Sequence, residues 1–251
     1  MKEMNTAFRS LSTVPSIKTS LPSLDNRLLA ALPRDEYERF SSRLESVNLP
    51  KNRILYEVGD SVRHAYFFNG GMTAMLAINQ DGQTIEIGMM SDEGFIGTPI
   101  IRRVGVTTCR VMTLLPCSAV RVPAEHLLAE FNRGGKLQQL LLRYSHVTET
   151  QMVLSTVCNL FHSVEMRVCR WLLVTHDCLK TESFDLTQEN IAIMLGKHRN
   201  RISVAAGELQ KRGLINYNRR GRITIIDRKA LEAEACECYR LVKECVRDVF
   251  R

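Results

Sequence analysis

The sequence predicts an α+β protein with three parts in chain order: an N-terminal antiparallel β-roll of the jelly-roll kind, a long dimerisation helix and a C-terminal winged helix-turn-helix. Residues 51–122 hold short runs of β-branched and aromatic residues separated by glycines, a pattern typical of antiparallel barrels and jelly rolls. Apolar residues recur three and four apart over 137–161, which indicates a helix. Residues 186–229 combine two short helical patterns with an alternating hairpin pattern.

These patterns divide the chain into four segments. They are a flexible arm (1–23), the β-roll domain (24–133), the dimerisation helix (134–162) and the winged helix-turn-helix domain (163–251). The arm is assigned from its richness in Ser, Thr and Lys.

The β-roll segment opens with a helical pattern over 24–46 that is broken near Pro33. Further on, Asp81-Gly82 separates two alternating runs, and this dipeptide favours a tight hairpin turn. We therefore expect an initial helix followed by antiparallel strands.

Composition bounds the class of protein. The chain has 251 residues, of which 45% are hydrophobic and 24% charged, as in soluble globular proteins. No run approaches the roughly 18 apolar residues of a membrane span, and the N-terminus lacks a secretory signal pattern. Eight scattered cysteines are too sparse for a disulfide scaffold. We expect a cytoplasmic protein that does not associate with membranes.

The long helix carries a heptad seam with one polar insertion, Gln151. Such a seam favours a two-stranded coiled coil and hence a homodimer. The alternative is a helix that packs on its own domain. The seam consists of Leu137, Leu140, Tyr144, Val147, Gln151, Leu154, Cys158 and Phe161.

Positive charge is concentrated in one segment. Residues 186–229 contain ten Lys or Arg and three Asp or Glu, a net charge of +7 that equals the excess of the whole chain. A basic module on a neutral body is typical of proteins that bind polyanions.

The same segment contains residues that typically begin and end the two helices of a helix-turn-helix. Thr187 is a good N-cap, and Gly196 ends a first short helix. The second helix has small and apolar residues on its inner face and stops at Gly213, in a position that favours glycine. The inner-face residues are Ile202, Ala205, Ala206 and Leu209.

The cations at the start of the second helix indicate DNA binding, because this turn enters the major groove in helix-turn-helix proteins. Three side chains are expected to contact bases: Arg199, Asn200 and Ser203. Others are expected to contact phosphates from the helix starts or the hairpin tip: Thr187, Lys197, His198, Arg201, Arg219, Arg220 and Arg222. The predicted partner is double-stranded DNA.

Four stretches resemble landmarks of the Crp/Fnr family of bacterial transcription regulators. They are YEVGD (56–60), FFNGG (67–71), GFIG (94–97) and LTQENIAIMLGKHRNRISVAAGELQKRGLI (186–215). The resemblance implies a cyclic-nucleotide-binding-like β-roll with an effector pocket. It also implies a homodimer that binds a near-palindromic operator and contacts RNA polymerase.

The pocket departs from the pattern of cyclic-AMP-binding members. Those members place Glu after Phe-Ile-Gly and an Arg-Ser or Arg-Thr pair about ten residues later. Here Thr98-Pro99 and then Thr107-Thr108 stand at these positions. An altered pocket for an unknown effector would involve Gly97, Thr98, Thr107, Thr108 and Arg110. The alternatives are a cyclic-nucleotide-responsive regulator and a ligand-independent regulator controlled by its abundance.

No cofactor, metal site or enzymatic activity is expected. Members that hold an iron–sulfur cluster carry an N-terminal cysteine run, whereas the first cysteine here is Cys109. Cys236 and Cys238 are close in sequence but lack further ligands nearby. The sequence shows no phosphate-binding glycine loop, nucleophile elbow or paired carboxylates.

Overall fold

A computed structural model describes residues 25–218 and 221–251. The predicted arm at 1–23 and two of the predicted phosphate contacts, Arg219 and Arg220, lie outside the described residues.

The first part of the chain forms two short helices, α1 (Arg27–Ala30) and α2 (Arg34–Ser41), separated around Pro33. The single helical stretch predicted over 24–46 is therefore wrong at its end, where strand β1 (Glu45–Leu49) begins. Val47 and Leu49 alternate into the core, and this period of two fits a strand better than a helix.

Two antiparallel four-stranded sheets form the β-roll, with strand orders β1-β8-β3-β6 and β2-β7-β4-β5. The remaining strands are β2 (Ile54–Tyr56), β3 (His64–Phe68), β4 (Met72–Ile78), β5 (Thr84–Met90), β6 (Phe95–Ile96), β7 (Arg110–Leu115) and β8 (Cys117–Pro123). The β4–β5 hairpin turns at Gly82, which has a φ of 80°. This arrangement confirms the predicted antiparallel roll.

Helices α3 (Thr98–Ile101) and α4 (Ala124–Asn132) precede the long helix α5 (Gly135–Phe161). The N-terminal half of α5 packs on the roll. Four of the predicted seam residues belong to that core and are at most 3% exposed: Leu137, Leu140, Tyr144 and Val147.

Three of the other predicted seam residues also have partners within the chain. Gln151 does not face a second helix, because its amide exchanges two hydrogen bonds with the backbone of Met89 on edge strand β5 (2.9 and 3.1 Å). Leu154 and Cys158 pack against Cys236 and Cys238 of the same chain. Phe161 is exposed. Most of the predicted seam therefore packs within its own chain.

Gly88 permits this close approach of α5 to β5. A Cβ atom at Gly88 would lie 2.6 Å from Oε1 of Gln151, well inside van der Waals contact. A different face of α5 exposes the apolar residues Leu142, Val153 and Leu160.

The C-terminal part contains helices, a three-stranded sheet of order β10-β11-β9 and a final helix that returns to α5. Its elements are α6 (Val164–Leu179), β9 (Ser183–Asp185), α7 (Gln188–Leu195), α8 (Arg199–Lys211), β10 (Ile215–Tyr217), β11 (Arg222–Ile225), α9 (Arg228–Glu234) and α10 (Cys238–Val249). Strand β9 was not predicted from the sequence.

One apolar core joins this C-terminal part to the roll. It combines Met72, Ala74 and Leu76 of β4 with Trp171 and Leu172 of α6. The C-terminal domain is therefore docked on the sheet that contains β4. Among residues 25–218 and 221–251, no helix is long and apolar enough to cross a membrane.

Candidate nucleic-acid interface

Helix α7 begins and ends as its sequence predicts. The Thr187 hydroxyl accepts a hydrogen bond from the Asn190 backbone N–H (3.1 Å), and the Asn190 side chain accepts one from the Thr187 N–H, which completes a capping box. Gly196 ends the helix with a φ of 58°. A Cβ at Gly196 would lie 3.1 Å from the side chain of Ile85 on β5, so the turn lies close to the roll.

Helix α8 buries the predicted inner face and exposes the opposite one. The buried residues are Ile202, Ala205, Ala206 and Leu209. His198 is the N-cap residue, and the helix terminates before Gly213, which has a φ of 71°. The Leu214 N–H donates to the Leu209 carbonyl at 3.0 Å, a bond that satisfies one of the last carbonyls of the helix.

The cations around the start of α8 lack carboxylate partners. Within the described part of the chain, no Asp or Glu oxygen lies within ion-pairing distance of Lys197, Arg199, Arg201 or Arg222, all of which are exposed.

Three other cations of the basic segment have carboxylate partners. Lys211 pairs with Glu208 at 2.7 Å, Arg212 donates to Glu234 at 3.1 Å, and Arg228 pairs with Asp177 at 2.8 Å. Four of the exposed cations without a carboxylate partner among the described residues thus lie at the start of α8 and on the adjoining hairpin, which suits contact with a polyanion.

The predicted base-contacting residues differ in availability. Arg199 and Asn200 are exposed. Ser203 is partly buried and its hydroxyl donates to the Gln188 side chain at the start of α7. Gln188, which the sequence analysis missed, therefore lies at the same surface. Val204 of α8 is 63% exposed and adds an apolar side chain to this surface.

The hairpin of β10 and β11 forms the wing beside α8. Tyr217 anchors it, because the phenol donates to the Leu186 carbonyl at 2.8 Å. Burial raises the pKa of Tyr217 to about 12, so the hydroxyl stays protonated and able to donate. The Arg222 N–H donates to the Asn218 side chain at 3.0 Å and holds one side of the wing turn.

Comparisons with known proteins agree with this geometry. Residues 166–234 match the Crp-like helix-turn-helix domain, and residues 46–133 match the cyclic nucleotide-binding domain. Together the two matches cover more than half of the chain. The chain belongs to the Crp/Fnr family. It is a DNA-binding transcription regulator with a cyclic-nucleotide-binding-type domain, and the family is one of regulators rather than enzymes.

Solved Crp/Fnr structures share the fold of this regulator. A family member from Eubacterium rectale aligns with a TM-score of 0.67 and 20% identity, over 84% of this chain and 99% of its own. FixK2 from Bradyrhizobium japonicum aligns with a TM-score of 0.67 and 14% identity, over 77% and 98%. The c-di-GMP responsive regulator CLP from Xanthomonas campestris aligns with a TM-score of 0.61 and 15% identity, over 78% of this chain and 100% of its own. No curated protein sequence matches the chain.

Two buried arginines connect the regulator's DNA-binding domain to the rest of the chain. Arg167, 2% exposed, donates to the Leu195 carbonyl at the end of α7 (2.5 Å) and to the Asn159 side chain near the end of α5. It therefore joins the helix-turn-helix to the long helix. No sequence signal indicates this role, because Arg167 lies within the pattern of an ordinary amphipathic helix.

Arg170 makes the second connection, to Glu86 on β5 at 3.4 Å. Both side chains are buried. Burial raises the pKa of Glu86, and the positive charge of Arg170 opposes that increase. A buried pair of this kind is costly to break, since the remaining partner would be left as an uncompensated charge.

Two of the predicted effector residues, Thr107 and Arg110, already have partners within the roll. Arg110 pairs with Glu57 at 2.8 Å, and the Thr107 hydroxyl donates to the Cys109 carbonyl at 2.9 Å. A Cβ at Gly97 would lie 2.5 Å from the Phe95 ring. Thr98 begins α3, and Thr108 is exposed.

A cavity lies elsewhere in the regulator, between the roll and the C-terminal helices. Its volume is about 1390 Å³. Charged side chains line much of it, among them Asp92, Glu93, Asp177, Lys243 and Arg247. None of the predicted effector residues lines this cavity.

Proposed function

We propose that this regulator acts as a homodimer that binds a near-palindromic operator through the start of α8 and the wing. The observation that carries the proposal is a set of exposed cations without a carboxylate partner among the described residues: Lys197, Arg199, Arg201 and Arg222. Such charges contribute affinity by displacing counterions from DNA phosphates. As in Crp/Fnr regulators generally, the chain would work in the cytoplasm, contact RNA polymerase and have no catalytic activity.

Base and phosphate contacts are assigned by position. Arg199 and Asn200 project from the first turn of α8 and can pair with guanine and adenine edges respectively. Phosphate contacts are proposed for the side chains beside them and for the wing: Thr187, Lys197, His198, Arg201, Arg219, Arg220 and Arg222. Ser203, held by Gln188, would contact a base only together with that side chain.

The exposed face of α5 supports pairing of two copies. Leu142, Val153 and Leu160 are 55%, 63% and 71% exposed, and their spacings of eleven and seven residues keep them on one helix face. Exposed apolar residues in such a row mark an interaction surface. This face replaces the seam predicted from the sequence.

We also infer that cyclic AMP is not the effector. The arginine nearest the expected phosphate site, Arg110, is neutralised by Glu57, and Thr98 supplies no carboxylate for a ribose. An effector of different chemistry, or control by abundance, fits these residues better.

Selection of duplexes from a random library with the full-length regulator tests the proposal. We expect a near-palindromic consensus with half-site centres about one helical turn, or 34 Å, apart. Lys197→Ala should weaken binding to the selected duplex. The matched control is Lys211→Ala, at the far end of α8 and paired with Glu208, which should not. A consensus without two-fold symmetry would contradict the dimer, and equal effects of both substitutions would contradict the assigned interface.

A further inference from the structure

Four potential metal ligands converge where α5 meets the C-terminal helices. Cys158 and His162 lie at the end of α5, and Cys236 and Cys238 flank the start of α10. Their ligand atoms all lie within 4.8 Å of one another. Two of the spacings are 3.6 Å, between the Sγ atoms of Cys158 and Cys236, and 3.8 Å, between Cys238 Sγ and His162 Nδ1.

These spacings match the edges of a tetrahedron around one small ion. Zinc–sulfur bonds of about 2.3 Å and zinc–nitrogen bonds of about 2.0 Å place two sulfurs about 3.8 Å apart, and a sulfur and a nitrogen about 3.5 Å apart. The arrangement of Cys158, His162, Cys236 and Cys238 therefore needs only small side-chain adjustments to coordinate a single ion.

The histidine is oriented as a metal ligand would be. Its Nε2 atom lies 3.2 Å from Oε1 of Glu237, while Nδ1 faces Cys238. Metal-binding histidines commonly donate their other ring N–H to a carboxylate, which fixes the tautomer and the ring orientation. Glu237 lies between two of the cysteines in sequence, so the same short segment supplies ligands and the orienting group.

Burial and charge also suit a metal–thiolate site. Cys158, Cys236 and Cys238 are each at most 2% exposed. A divalent ion with three thiolates and a neutral imidazole carries one net negative charge. The positive charges of Arg167 and Arg170 act on Cys158, and the Nε atoms of both arginines lack hydrogen-bond partners in the described part of the chain. These two cations can offset the negative charges of Glu86 and of such a site.

We propose that Cys158, His162, Cys236 and Cys238 bind one zinc ion in each chain. Thiolates with an imidazole in tetrahedral geometry favour zinc, and four protein ligands leave no open position for catalysis. Binding releases the thiol protons to solvent. The ion fastens the segment between α9 and α10 to the end of α5.

This proposal differs from the expectation of no metal site. The two halves of the site are separated by 78 residues in sequence, so spacing alone did not bring them together. A Cys-x-x-x-His pair on a helix and a Cys-x-Cys pair after the wing were the available signals.

Metal analysis of the full-length protein tests the proposal. The protein is purified under reducing conditions, reconstituted with zinc and dialysed, and its zinc content is measured by mass spectrometry. We expect one zinc per chain in the wild type and a loss of binding in Cys236→Ser/Cys238→Ser. Cys245→Ser is the matched control, because Cys245 lies in α10 and its thiol contacts Thr150 instead (3.6 Å); it should retain one zinc.

Two further measurements separate a real site from a folding defect. Cobalt reconstitution should give the visible bands of tetrahedral Co²⁺ and a thiolate charge-transfer band in the wild type and Cys245→Ser. Glu237→Ala removes only the orienting carboxylate and should weaken zinc binding about 10- to 100-fold with an unchanged circular dichroism spectrum. Zinc content far below one per chain in the wild type would overturn the proposal. So would equal zinc affinity in wild type and the double serine variant, or a Cys158–Cys236 disulfide as the stable form under reducing conditions.

Discussion

At the start of α8, the direction in which a side chain projects decides what its loss does to DNA binding. In the proposed complex, Arg199 and Asn200 contact base edges, whereas Arg222 on the wing contacts a phosphate. A phosphate contact contributes similarly on every sequence, while a base contact contributes mainly on the cognate one. The two kinds of residue therefore differ in specificity as well as affinity.

Arg199→Ala should weaken binding to the cognate duplex by about 1–3 kcal/mol and relax the preference at one base pair of each half-site. Arg222→Ala should weaken binding about equally on cognate and scrambled duplexes and reduce the salt slope by about one unit. Affinities measured across a salt series on both duplexes check this. If Arg199→Ala keeps the sequence preference, Arg199 contacts a phosphate and the base assignment is wrong.

A second residue-scale prediction concerns Glu93. Burial, with a further contribution from Asp92, raises the pKa of Glu93 to about 7. Between about pH 4.3 and 7 the folded state therefore holds a proton that the unfolded chain has lost, and the free energy of unfolding falls as pH rises through this window.

Glu93→Gln should remove that part of the pH dependence, because the amide does not titrate. Urea unfolding of wild type and variant at about pH 5 and pH 7.5 measures the difference. Glu125→Gln, at an exposed position of α4, controls for loss of one carboxyl. If the free energy of unfolding of Glu93→Gln depends on pH as strongly as that of the wild type, another group titrates in this range.

At the scale of the element, α5 has an inner and an outer face. The inner face contacts the roll and α10, and the outer face presents Leu142, Val153 and Leu160 to solvent. A charge placed on either face has different consequences, because only the inner positions are buried in the single chain. Charge substitutions on the two faces therefore distinguish a loss of dimerisation from a loss of folding.

Val153→Glu/Leu160→Glu should dissociate the dimer and leave the fold intact. Leu140→Glu should instead unfold the chain, since Leu140 is 1% exposed and an unpaired buried carboxylate is strongly unfavourable. Light scattering reports the mass and circular dichroism reports the fold. A wild-type protein that is monomeric at micromolar concentration would contradict the proposed pairing.

Local chemistry explains which elements were predictable. The cap at Thr187, the stop at Gly196 and the inner face of α8 depend on neighbours in sequence, and the structure confirms them. The contacts of α5 depend on which residues elsewhere in the chain cover it. In sequence, Gln151 is equally compatible with a polar position in a coiled coil and with a side chain that hydrogen-bonds to the edge strand β5, as it does in the structure. Only the folded chain distinguishes these two interpretations.

The same argument applies to the sites. The cations at the start of α8 could be located from sequence because they lie within five residues of one another. That they lack carboxylate partners among the described residues became visible only in the structure. Ser203 was assigned to bases, but its hydroxyl bonds to Gln188 fifteen residues away. Arg167 could not be assigned at all, since Leu195 and Asn159 approach it from two other helices.

At the scale of the whole molecule, the roll and the DNA-binding domain share a core and the buried Arg170–Glu86 contact, and Arg167 joins the DNA-binding domain to the long helix. Any effector that alters DNA affinity must favour one arrangement of these domains over another. At the proposed position of the cyclic-AMP pocket, Arg110 pairs with Glu57 and the Thr107 hydroxyl donates to the Cys109 carbonyl. Cyclic AMP therefore has little basis for such a preference.

Cyclic AMP should bind weakly or not at all, and it should not change affinity for the operator. Calorimetric titration of the full-length regulator measures the first, and operator binding with and without the nucleotide measures the second. Tight binding accompanied by a gain in DNA affinity would show that the pocket accommodates the nucleotide despite the Arg110–Glu57 pair.

The position of Trp171 gives the molecule a built-in optical probe. It is the single tryptophan of the chain, it is 0% exposed, and it lies in the core shared by the roll and the DNA-binding domain. Its indole N–H has no hydrogen-bond partner among the described residues, so the docked state should fluoresce at short wavelength. Separation of the two domains would expose the indole to water and shift its emission maximum to longer wavelength. The intrinsic fluorescence of the unlabelled protein thus follows domain separation directly, during titrations with DNA, metal or candidate effectors.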